Sequence, residues 1–197
     1  MNDLVWLWIV LGLLALVAIF IIALFNSLVR LNNRVKKAYS DINIWLKQRA
    51  DLLGNLVETV KGSAKFEKET IEKVTEARSG ITEAVKNGAA PAELAQAENV
   101  LTKTVGGLHF EAYPNLQTVG NFKELMTQIS DIEDKIQSGR RFYNGGVTEF
   151  NTKIETFPNN LFANILKFTK YDFFETEDRA ELETGHSADK STVSFEG

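Results

Sequence analysis

The chain has 197 residues, 44% of them hydrophobic, a formal charge of −4 and no cysteine. That balance is not the one a nucleic-acid binder needs, and the missing thiols exclude disulfides, thiolate metal sites, a cysteine nucleophile and a lipidated N-terminal cysteine. Two histidines, His109 and His186, are too few for a multi-histidine metal centre.

From Leu4 to Phe25 the chain runs 22 residues without a charged side chain, with Asp3 before it and no further charge until Arg30. At about 1.5 Å per residue, such a helix crosses a hydrocarbon core of roughly 30 Å. Residues 1–27 are therefore expected to be a transmembrane anchor, with Leu4, Trp6, Trp8, Leu16, Phe20 and Phe25 among its lipid-facing side chains. A secretory signal peptide is the competing reading. It would want a basic leader, an apolar run of roughly 7–15 residues and a small-x-small cleavage site, whereas this chain opens on Asn2 and Asp3 and has Ala23-Leu24-Phe25 near the end of the run. Arg30, Arg34, Lys36 and Lys37 follow the span, so the positive-inside rule predicts a single-pass protein of the inner (plasma) membrane, N-terminus outside and the following domain cytoplasmic. The same four basic residues suit an anionic lipid surface.

Beyond the anchor, Leu28, Leu31, Val35, Tyr39, Ile42, Leu46, Arg49, Leu53, Leu56 and Val60 recur at spacings of three and four. This seam continues the membrane helix to about Lys61. Gly62-Ser63 breaks it. A second stretch with Ile71, Val74, Ile81 and Val85 on one face ends at Asn87-Gly88. Pro91 suits the first turn of a third stretch, which carries Leu94, Leu101, Val105 and Leu108 and stops at Tyr113-Pro114-Asn115. A fourth, with Asn121 and Glu124 as a capping pair, runs through Phe122, Leu125, Ile129, Ile132, Ile136, Tyr143, Val147, Phe150 and Ile154 to Phe157-Pro158.

No useful length alternates with period two, so the fold class is all-α: the membrane helix continuing into an elongated antiparallel four-helix bundle over residues 28–158. If the four helices alternate in direction, the fourth returns towards the bilayer. Residues 159–175 then form an aromatic-rich amphipathic segment near the membrane, with Phe162, Phe168, Tyr171, Phe173 and Phe174 within it and Phe157 just before it as the interfacial aromatic side chains. They either lie at the headgroups or a neighbouring subunit, or cap the end of their own bundle. The acidic residues 176–197 read as a disordered tail.

Several runs make the chain resemble the bacterial LemA family: Val35 to Ile42 (VKKAYSDI), Leu46 to Leu53 (LKQRADLL), Asn55 to Gly62 (NLVETVKG), Glu67 to Thr70 (EKET), Thr75 to Arg78 (TEAR), Ala112 to Pro114 (AYP), Asn121-Phe122, Arg141 to Asn144 (RFYN), and Asn151 to Ile154 (NTKI) with Phe157-Pro158. The likeness covers roughly Leu28 to Phe174. It implies a single-pass membrane protein with a cytoplasmic helical bundle. Relatives are linked to membrane-compartment biogenesis in magnetosome-forming bacteria and, by association, to envelope stress and membrane proteases; no family catalytic residue exists to carry over. The chain departs from the pattern at Gly54, where relatives commonly have proline, and at Gly145-Gly146, which would mark a hinge or a close helix crossing unless a long packed helix simply tolerates them.

No enzyme and no cofactor is expected. There is no glycine-rich phosphate loop, and a di-iron bundle site needs two Glu-x-x-His pairs on core positions, whereas the single match, Glu183 with His186, falls in the acidic tail. Polar residues within the seam are more informative. If the first and fourth helices are antiparallel with Leu28 near Thr156, facing residue numbers sum to about 184. Arg49 then faces Glu133 or Asp134, and Asp41 faces Arg140, Arg141 and Tyr143, pairs that would fix helix register. Two functional classes remain. One is a membrane-anchored scaffold that self-associates and organises the bilayer, with lipid and further copies of itself as partners. The other is an adaptor presenting the bundle to a membrane-protein client such as a protease or signalling protein.

Overall fold

The computed structural model describes residues 2–61, 68–106 and 121–175. Among them are five α-helices and no strand: α1 (Asn2–Lys61), α2 (Lys68–Lys86), α3 (Pro91–Gly106), α4 (Phe122–Glu155) and α5 (Asn159–Ile165). The fold is all-α, led by one long apolar helix. The expected break at Gly62-Ser63, the end of the third stretch beyond Gly106 and the acidic tail lie outside the described residues.

Helix boundaries follow local chemistry. At the end of α2, Gly88 takes the left-handed conformation with φ of 65°. The Ala89 amide then reaches the Ala84 carbonyl at 2.9 Å and the Gly88 amide reaches Val85 at 3.2 Å, the bond pair that closes a helix C-terminus when a residue without Cβ follows it. Pro91 begins α3, where its missing N–H costs nothing, and Glu93 accepts a bond from the Ala90 amide at 3.3 Å, the returning half of a capping pair. The same C-terminal closure recurs after α5 with a lysine in place of glycine. Lys167 has φ of 56°, Phe168 bonds back to Ala163 at 3.0 Å and Lys167 to Asn164 at 3.3 Å.

The chain divides into two compact units, Met1–Ala38 with Phe142–Tyr171, and Tyr39–Arg141 with Asp172–Gly197. This division runs across the expected 28–158 domain, because α1 and α4 each contribute to both units. In the first unit, α1 and the end of α4 are antiparallel neighbours. Lys153 donates to the Ser27 hydroxyl at 2.6 Å, Arg34 meets Glu149 at 3.3 Å, and a Cβ at Gly146 would lie 3.3 Å from Val35. Of the Gly145-Gly146 pair, Gly146 is thus a close crossing, while Gly145 has nothing within 4 Å. Leu28, Leu31 and Val35 are buried there, as are Val147, Phe150 and Ile154 on the facing helix.

In the second unit, α2 and α3 pack on each other, as their short connection requires. Ile42, Leu46, Leu53, Leu56 and Val60 of α1, Ile81 of α2, Leu94 and Leu101 of α3, and Ile129 and Ile136 of α4 supply its buried apolar side chains. Two glycines mark close approaches. A Cβ at Gly139 would fall 2.5 Å from the Trp45 ring, and one at Gly54 would fall 2.8 Å from the Arg78 guanidinium. A side chain at position 54 would displace the flexible end of Arg78.

Candidate functional site

Two features stand out, an uncovered apolar stretch at the start of α1 and a buried charge cluster in the second unit. Every large apolar side chain from Leu4 to Ile22, and Phe25 after them, is exposed in the isolated chain, Trp6, Trp8, Leu16 and Phe20 included. Leu28, three residues past Phe25, is fully buried. The helix is long and apolar enough to cross a membrane. Arg30, Arg34, Lys36 and Lys37 stand exposed on the next turns of α1, with Arg34 paired to Glu149.

The charge cluster centres on Arg49, only 3% exposed, and Glu98, 0% exposed. Arg49 Nη1 lies 2.9 Å from Glu98 Oε1 and 2.7 Å from Glu133 Oε2, and it donates to the Thr102 hydroxyl at 3.0 Å. Thr102 in turn donates to Glu98 at 2.8 Å. Arg140, from α4, forms an ion pair with the other oxygen of Glu98, and its guanidinium stacks 5.0 Å from the centre of the Phe174 ring, a cation over an aromatic face. Two guanidiniums and two carboxylates make the set neutral. Burial pulls the Arg49 guanidinium below its ordinary value, and the charge of Glu133 opposes this.

Among the sequence-predicted residues, Arg49 therefore stands against Glu133. Arg140, expected opposite Asp41, reaches Glu98, and Asp41 is half-buried on α1. Glu98 is the member that pairing the first helix with the fourth omits. Its signal is present in the sequence: it occupies the i+4 position after Leu94 on the apolar stripe that continues to Leu101, and a carboxylate in such a place needs a buried cation.

The six aromatic residues after α4 divide between roles. Phe168 and Tyr171 pack edge-on against Phe150, with ring centroids 5.8 Å and 5.2 Å away. Tyr171 is held at three atoms. Asn151 donates to its carbonyl at 2.9 Å and accepts from its amide at 3.0 Å, while its hydroxyl donates to Asn32 at 2.7 Å. Phe174 is buried over Arg140 in the second unit, Phe162 and Phe173 are half-buried, and Phe157 is exposed. Among the described residues no group of three or more His, Cys, Asp or Glu side chains is placed to hold a metal ion; Glu183 and His186 lie outside them.

These features define an all-helical protein led by a helix with the length and composition of a membrane anchor. The chain belongs to the LemA family, whose model matches residues 38–186. It is 31% identical over 163 residues to Protein LemA of Metamycoplasma hominis, covering 81% of this chain and 73% of that one. It is also 25% identical over 190 residues to Magnetosome protein MamQ 2 of Paramagnetospirillum magneticum, with 84% and 70% covered. Magnetosome protein MamQ of Magnetospirillum gryphiswaldense is 25% identical over 196 residues, with 86% and 72% covered. None of these names carries a catalytic activity.

Proposed function

We propose that the protein is a non-enzymatic scaffold of the inner membrane, anchored by Leu4 to Phe25, that self-associates and organises the bilayer, with the helical domain on the cytoplasmic side. One observation carries the reading. Along a single helix, apolar side chains with no protein around them give way at Leu28 to fully buried ones, so the same helix changes its surroundings from lipid to protein. A soluble chain would leave a continuous apolar surface far larger than the few hundred Å² that monomers ordinarily expose. The basic residues Arg30, Arg34, Lys36 and Lys37 support the orientation, and the likeness to magnetosome proteins supports a task in membrane organisation. The buried charge cluster belongs to this reading as a register device: Arg49, Glu98, Glu133 and Arg140 bond only when three helices are correctly aligned.

The test is the mass of the full-length protein in mild detergent, by light scattering with detergent subtracted, beside a chain beginning at Leu28. A large discrete oligomer is expected, and its loss on truncation would assign assembly to the anchor. A monomer or dimer in several detergents overturns self-association and favours the adaptor, with crosslinking to a membrane client as the next step.

A further inference from the structure

We propose that α5 is a second membrane contact, in which Phe157, Leu161 and Ile165 seat at the lipid headgroup boundary beside the span; the proposal rests on Leu4 to Phe25 being an anchor. The argument begins with which way α5 faces. Asn159 and Ala163 are buried, whereas Leu161 is 54% and Ile165 75% exposed. Two residues along a helix turn through about 200°, so Asn159 and Ala163 face the protein while Leu161 and Ile165 face away. A soluble surface helix shows the opposite arrangement. Phe157, just before α5, is 80% exposed. The helix itself, NNLFANI, carries no charge.

Position supplies the occupant. In the first unit α4 runs antiparallel to α1, with Gly146 beside Val35, Glu149 beside Arg34 and Lys153 beside Ser27. Phe157 follows two residues past the end of α4, four beyond Lys153, close to where the uncharged stretch of α1 ends at Phe25. An exposed phenyl ring at that level meets lipid rather than water. Lys167 and Lys170 follow immediately, with Lys170 paired to Glu155, and Arg30, Lys36 and Lys37 stand exposed on α1. An apolar face rimmed by basic side chains is the composition of an interfacial element on anionic lipid, with long lysine stems reaching back to the headgroups.

The absence of cysteine makes the test direct. Single-cysteine variants of the full chain, Leu161→Cys and Ile165→Cys, carry an environment-sensitive dye in vesicles of phosphatidylethanolamine and phosphatidylglycerol, with brominated lipid as quencher and iodide as aqueous quencher. Leu14→Cys reports the span, and Phe142→Cys reports an exposed apolar position of the same unit away from α5. The expected result is a blue shift and loss of intensity with brominated lipid at 161 and 165, as at 14, and iodide quenching at 142. Iodide quenching at 161 and 165 with lipid quenching at 14 overturns the α5 contact and leaves the anchor standing. Protection from both quenchers at 161 and 165 overturns it in favour of a second copy covering the face. Iodide quenching at 14 overturns the anchor and the α5 contact together.

Discussion

Each compact unit contains a polar arrangement, buried in one and part-buried in the other, and the two are made of different chemistry. In the second unit it is ionic: Arg49 and Arg140 against Glu98 and Glu133, with Thr102 between. In the first it is neutral: Asn151 bonds both backbone groups of Tyr171, whose hydroxyl reaches Asn32. The difference lies in what is left when one partner is lost. Removing a member of the neutral set leaves a dipole or two without a bond. Removing a member of the ionic set leaves an uncompensated charge where water cannot reach, and that penalty, rather than the worth of the intact set, dominates. The ionic arrangement is therefore the more discriminating device: it tolerates one alignment of α1, α3 and α4 and penalises every other.

The largest effect expected is that of Arg49→Met. It fills similar volume and leaves Glu133 without its cation and Glu98 with Arg140 alone. A loss of roughly 3–5 kcal/mol is expected for breaking a buried pair on one side, read as the fall in denaturant midpoint of the full chain in detergent. If Arg49→Met left secondary structure, melting temperature and assembly unchanged, the cluster would have no part in fixing register.

Half of that cluster is legible in the sequence. Arg49 interrupts an otherwise apolar seam, and antiparallel arithmetic brings it to Glu133, because two long helices in contact constrain one another over many residues. Glu98 does not emerge that way. Its partners depend on how the shorter α3 docks, which no spacing within α1 or α4 encodes, although a carboxylate on the stripe between Leu94 and Leu101 marks the place. The segment after α5 has no periodicity, so the division of its aromatics between Phe150 and Arg140 has no signal to follow. α5 itself exposes Leu161 and Ile165, against the pattern by which a soluble helix is read.

A smaller loss is expected from Asn151→Ala, which strips both backbone bonds from Tyr171. Each hydrogen bond contributes about 0.5–1.5 kcal/mol net, so a loss of about 1–3 kcal/mol is expected if both are felt. The change should be local. Hydrogen exchange at the Tyr171 amide should rise sharply while amides around Arg49 keep their protection. Equal loss of protection in both units would mean that the two polar arrangements act as one, and the contrast between them would fail.

Alkaline pH acts on the neutral set through Tyr171. Burial raises the Tyr171 hydroxyl above its ordinary value, near 10 for a free tyrosine, because the phenolate is the poorly solvated form. The folded protein therefore holds this proton more tightly than the unfolded chain does. Its contribution is fully present below about pH 10 and is lost as the pH rises through the raised folded value. The deprotonated oxygen can no longer donate to Asn32, and the two acceptors then face each other across 2.7 Å. Tyr171→Phe should cost about 1 kcal/mol at neutral pH, the worth of one hydrogen bond, and should show a shallower fall in stability above about pH 10 than the unaltered chain. Parallel pH profiles for the two proteins would show that the Tyr171 hydroxyl is not what opens, and the neutral arrangement would then owe its hold on the segment to Asn151 and to the packing of the ring on Phe150.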